Sequence, residues 1–130
     1  MQREVLPGVG ARGEMEIAAA IKRKALRAWK KAIPLPQVDI PDLDEGETDC
    51  IRVALSVGAD NALILIDERA GRAVAPERGI RIAGTAAIIG LAKKHRLIDS
   101  AKARFARLHE TCFRISASVI QAVLRGLGEL

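Results

Sequence analysis

The chain has 130 residues, 49% of them hydrophobic, enough for one domain with a core and too apolar for an intrinsically disordered chain. One Trp, two Phe and no Tyr leave the core to Ala, Val, Ile and Leu. That fits poorly with an aromatic-rich β-sandwich and offers almost nothing for stacking bases in the manner of a single-strand reader. The net charge of +5 comes from 21 basic and 16 acidic side chains and is unevenly placed. Residues 12 to 31 carry seven bases and two acids, whereas residues 32 to 49 carry Asp39, Asp42, Asp44, Glu45, Glu47 and Asp49 and no base.

In chain order, Val5-Leu6-Pro7 reads as the end of a short strand, closed by a glycine loop from Gly8 to Gly13. Ile17, Ala18, Ile21, Ala25, Ala28, Trp29 and Ala32 then recur at helical steps, which predicts a basic amphipathic helix from Glu14 to Lys31, stopped by Pro34 and Pro36. Gln37 to Ile40 suits a short extended piece. A second helix is expected from Glu45 to Val57, with Ile51, Ala54, Leu55 and Cys50 inward and Gly58 as its stop. Ala62-Leu63-Ile64-Leu65-Ile66 is a continuous apolar run ending at Asp67, the pattern of a strand buried on both faces. A short helix over Gly71 to Glu77, a strand at Ile80-Arg81-Ile82 and a helix from Ala86 to His95 follow. Asp99 or Ser100 caps a further helix through Leu108, and Ser116 caps the last, which ends near Gly126. Alternating helices and strands indicate a parallel α/β sheet in one domain over residues 1–130.

Cys50 and Cys112 have neither disulfide nor zinc spacing and read as small buried hydrophobes. No apolar run reaches the ~18 residues of a membrane span, and Met1-Gln2-Arg3-Glu4-Val5 is not a signal sequence. A reducing cytoplasm is the expected compartment. His95 and His109 read as surface residues.

Two acids stand where α/β sheets place chemistry. Asp67 follows the most apolar strand, and ligands of open α/β sheets gather at the carboxyl ends of strands. Glu47 stands in the first turn of the preceding helix, beside Asp44 and Glu45. If both point to one edge they can share a hard cation, Mg²⁺ or Mn²⁺, which activates water and steadies a phosphodiester transition state. Asp67 as a turn former and Glu47 as a helix-dipole partner is the competing, purely structural reading.

A longer ordered set of residues carries a resemblance. Leu43-Asp44-Glu45-Gly46-Glu47, Ile51, Ala54 and Leu65-Ile66-Asp67-Glu68-Arg69-Ala70-Gly71-Arg72 open it. Ala75, Gly79, Gly84-Thr85, Ala92-Lys93, Leu97-Ile98 and Phe113-Arg114-Ile115-Ser116 continue it. Together they resemble the small prokaryotic PIN-like proteins, predicted to bind nucleic acids and related to VapC-type toxins. The resemblance implies a three-layer α/β/α sandwich with a mostly parallel sheet, and an acid cluster that binds Mg²⁺ or Mn²⁺ and cleaves single-stranded RNA. It assigns metal binding to Glu47, Asp67, the adjoining Glu68, and Glu14 in the early helix, with Glu47 and Asp67 catalytic and Thr85 near the same edge. Arg69, Arg72, Arg81, Lys93 and Lys94 are the expected phosphate contacts.

Members of that family begin with an apolar strand carrying the first metal-binding Asp. This chain begins at what resembles the second strand, so the domain is expected to be N-terminally incomplete. A start placed too late, a degenerate remnant and a strand supplied by another chain all stay open. The leading expectation is a metal-dependent endoribonuclease, the toxin of a toxin–antitoxin pair, with RNA and an antitoxin as partners, a homodimer by family, and no membrane contact. The alternative is a non-catalytic module that binds nucleic acid or antitoxin.

Overall fold

A computed structural model describes residues 8, 10, 11, 13–28, 35–38, 40 and 43–130. The expected strand at Val5-Leu6-Pro7 lies outside them. The chain divides into two compact units between Gln37 and Val38.

In the first unit, α1 spans Glu14–Lys22, preceded by Gly13 at φ 79°. Glu14 holds the glycine loop by accepting the backbone N–H groups of Gly8 and Ala11. The helix is shorter than the Lys31 end its periodicity suggests. Lys24 turns left-handed at φ 62°, and the N–H groups of Ala25 and Leu26 both fold back onto the Ala20 carbonyl. This closure satisfies the helix-end carbonyls and ends the helix even though apolar residues continue at helical spacing. Trp29 and Lys31 lie outside the described residues.

The second unit is α/β. It runs α2 (Glu45–Val57), a 3₁₀ turn (Ala59–Asn61), β1 (Leu63–Leu65), α3 (Arg69–Glu77), β2 (Arg81–Ala83), α4 (Thr85–Lys94), α5 (Ala101–His109) and α6 (Ala117–Leu127). Asp44 starts α2 by accepting the Glu47 N–H at 2.7 Å, and Gly58, at φ 94°, stops it. The strands pair in parallel, with Leu63, Ile64 and Leu65 opposite Arg81, Ile82 and Ala83. The Ile66 N–H adds one more bond to the Ala83 carbonyl. Ile51 and Ala54 of α2, Ala75 of α3, and Ile64, Ile66 and Ile80 form one buried core with Ile40.

The β1 run is not buried on both faces. Ile64 and Ile66 are buried, whereas Leu63 and Leu65 are 53% and 64% exposed. Every position is apolar, so the two-residue alternation of a half-covered strand is invisible in the sequence. Cys112 is likewise exposed rather than buried, and Cys50 is half-buried. Among the described residues, no helix is long and apolar enough to cross a membrane.

A second core gathers α4, α5 and α6 through Ala86, Ala101, Phe105 and Leu124. Ser100 caps α5 as expected, accepting the Ala103 N–H at 3.1 Å. The other acceptor at that helix start comes from the far end of the chain. Gly128, left-handed at φ 70°, ends α6, and the Glu129 N–H returns to the Leu124 carbonyl. The Glu129 carboxylate then accepts from the Ser100 hydroxyl and from the N–H groups of Ala101 and Lys102, with Lys93 at 3.5 Å.

The Lys102 and Ala101 N–H groups, helped by Ser100 and Lys93, lower the Glu129 pKa from 4.5 to about 2. A depressed folded-state pKa stabilises the fold above the unfolded value and loses that contribution as pH falls through the folded one. Urea denaturation of wild type and Glu129→Gln should therefore differ at pH 7, with wild type the more stable. The gap should shrink steadily from pH 4.5 towards pH 2.

Candidate functional site

The carboxyl end of β1 positions the site. Beyond the last strand bond at Ile66, Asp67 projects towards the start of α4. Helix α4 begins after Gly84, which has no side chain to cap it. Asp67 supplies the cap instead: Oδ1 accepts the Thr85 N–H at 2.9 Å and Oδ2 accepts the Thr85 hydroxyl at 2.6 Å. A carboxylate at a helix N-terminus is favoured by the unpaired N–H groups and by the dipole. Thr85 thus stands at this edge, as the resemblance implies.

Glu47 approaches Ile66 from α2. It holds the third helical position after Asp44, where a capping box would return its carboxylate to the helix start. The side chain points inward instead. Its Oε1 is buried and has no hydrogen-bond partner among the described residues. The oxygen lies against Gly71 of α3, where an added Cβ would stand 3.2 Å from Glu47 Oε1 and 2.0 Å from Ile66 Cδ1. Glycine at 71 therefore makes room for both side chains. The same neighbourhood acts on Cys50, whose thiol pKa is raised by burial and then by the negative charges of Asp49, Asp44 and Glu47.

A cleft of about 270 Å³ opens beside Asp67, lined by Arg69 and Arg72 of α3 and by Phe113, Arg114, Ile115 and Ser116. Arg72 leans over Gly84, where an added Cβ would lie 2.7 Å from both Arg72 Nη1 and Asp67 Oδ1. Among the described residues, neither Arg69 nor Arg72 has an ion-pair partner.

The remaining expected site residues lie elsewhere. Glu68 is the exposed residue before α3 and makes no side-chain cap. Glu14 belongs to the first unit, in its own loop contacts. Arg81 donates to the Asp60 carbonyl, Lys93 to the Asp99 carbonyl, and Lys94 is exposed. Among the described residues, no three His, Cys, Asp or Glu side chains converge to hold a metal ion. The segment 113–116 entered the sequence reading only as part of the resemblance.

A family model described as a PIN domain matches residues 2–129. The chain belongs to the PIN-domain family. PIN domains are a nuclease-like family associated with nucleic-acid binding and generally use divalent metals, and the parallel strands and surrounding helices agree with a PIN-like α/β fold. No curated protein and no solved structure matches the chain.

The glycine packing of this PIN domain yields a stability test with an inverted sign. Gly→Ala inside a helix ordinarily stabilises by up to ~1 kcal/mol. Gly71→Ala should instead destabilise by about 1–3 kcal/mol, because its Cβ collides with buried Ile66. Thermal or urea unfolding reads the difference.

Proposed function

We propose that this PIN domain is a divalent-metal-dependent endonuclease acting on single-stranded RNA, with Glu47 and Asp67 as its catalytic carboxylates. The observation that carries the reading is Glu47 Oε1, a buried carboxylate oxygen without a partner at the carboxyl end of β1. Such an atom is costly unless something cationic or donating meets it. Asp67 offers a second hard oxygen donor beside the same residue, Ile66. Mg²⁺ is commonly bound through one or two carboxylates, with water and substrate phosphates completing its shell, so Glu47 and Asp67, both close to Ile66, suit it as donors.

Glu47 and Asp67 would hold the cation, with Glu68 the next acid along the chain. A bound divalent cation supplies an activated water and charge neutralisation at the scissile phosphate. The Thr85 N–H and hydroxyl fix the Asp67 carboxylate in one orientation, which preorganises it for that task. Arg69 and Arg72 offer phosphate contacts next to it, and exposed Lys94 adds to the basic surface. Glu14, Arg81 and Lys93 enter the reading only through the resemblance, as does a toxin role with an antitoxin partner or a homodimer.

A second reading has its own support. Arg69 and Arg72 line the cleft without ion-pair partners among the described residues, which also suits a module that binds RNA through its arginines without cutting it.

Glu47→Gln and Asp67→Asn should each lower Mn²⁺-dependent cleavage of a single-stranded RNA at least ~10²-fold. Cleavage unchanged in both variants rules out the assignment, and a salt-dependent gel shift without cleavage in wild type selects the second reading. Mn²⁺ should also raise the melting temperature of wild type and not of Glu47→Gln. In EDTA the order reverses: Glu47→Gln should melt above wild type, because the amide relieves an unpartnered buried carboxylate.

A further inference from the structure

The cleft beside Asp67 has two chemically different walls. One is cationic, formed by Arg69 and Arg72 on the first turn of α3. The other is formed by Phe113, Ile115 and Val119, with Arg114 and Ser116 between them, and its apolar part is the Phe113 ring and the two aliphatic side chains. A ligand suited to both carries an anion at one end and a flat apolar ring at the other.

The apolar wall is built rather than accidental. Phe105, the other phenylalanine, is buried in the second core, whereas Phe113 is 38% exposed and faces the cleft. Its turn, between the end of α5 and the start of α6, contains no regular structure to hold it. Side chains hold it instead. Arg114 Nη1 donates to the carbonyls of His109, Thr111 and Phe113. The Thr111 hydroxyl accepts the Phe113 N–H at 3.1 Å and donates to the Leu108 carbonyl. His109 Nε2 accepts the Ile115 N–H at 3.3 Å. Three side chains thus fix the backbone on both sides of one exposed aromatic ring, and a surface fixed before binding loses less freedom when a ligand arrives.

We infer that this cleft seats one nucleotide of a single-stranded RNA, with Arg69 and Arg72 on its phosphate and the Phe113 ring against its base. The inference rests on the RNA reading above but on neither the metal nor the cleavage. It also fits the poverty of aromatics: one ring serves one base, and the phosphates supply the remaining affinity. A duplex keeps its bases stacked inside and cannot offer one to the ring.

Binding is measured on the full chain in EDTA, by fluorescence anisotropy with a 5′-fluorescein-labelled single-stranded RNA of about 12 nucleotides. Phe113→Ala and Phe113→Leu should weaken binding on the order of tenfold, the range expected for losing one base–aromatic stack. Phe113→Trp should restore it. Neither Phe113 variant should change the salt dependence, whereas Arg72→Ala should lower the slope of log affinity against log salt by about 0.7. An abasic oligomer of the same length should bind wild type and Phe113→Leu alike. Phe113→Leu binding as tightly as wild type, an equal loss on the abasic oligomer, or equal affinity for the corresponding duplex each overturns the inference. Failure of the cleavage test at Glu47 and Asp67 leaves these EDTA measurements unaffected, so the two readings fail separately.

Discussion

The two hydrogen bonds from Thr85 to Asp67 are the constraint on which the rest of this unit depends. Asp67 belongs to the sheet side, following Ile66 of the first core, and Thr85 begins α4, the first helix of the second core. A local side chain at position 84 could have capped α4, but glycine stands there and leaves the work to Asp67, eighteen positions before Thr85. The helix start is thereby locked to the strand end. The same choice places a carboxylate, two arginines and the mouth of the cleft within one small region, so the stability of the unit and its chemistry share atoms.

Packing around Ile66 follows from that lock. On one side Gly84 lets Asp67 and Arg72 come close, and on the other Gly71 lets Glu47 and the Ile66 side chain come close. Each glycine sits where a methyl group would push a functional side chain away. The buried, unpartnered oxygen of Glu47 is a local cost that well-packed neighbours would normally remove by substitution. Here Ile51 and Ala54, one turn or two further along the same helix, are packed fully into the core and hold the acid in place.

Much of the fold was legible in the sequence because its signals were local. Asp44 and Gly58 bracket α2 at both expected ends, Ser100 caps α5, and the αL glycine at 128 ends α6 close to the expected Gly126. Four features were not legible, each for a physical reason. The end of α1 depends on a lysine, not a glycine, entering the left-handed region. The exposed face of β1 is hidden because leucine and isoleucine alternate with equal hydropathy. The cap on α4 and the latch at Glu129 are long-range contacts that leave no trace in spacing. For the site, position after an apolar strand marked Asp67 and first-turn placement marked Glu47, but the inward turn of Glu47 and the tethered ring at Phe113 emerge only in three dimensions.

The Glu129 latch has a consequence for how the protein comes into being. Helix α5 is started by a carboxylate made after every other residue it touches, so synthesis order and folding order cannot coincide here. The sheet core can assemble while α6 is still inside the ribosome, because its strands and packed side chains end by Ala83. The three-helix core cannot close until Leu124 and Glu129 have cleared the exit tunnel. Until then Ala101 and Phe105 lack the apolar partner that Leu124 supplies.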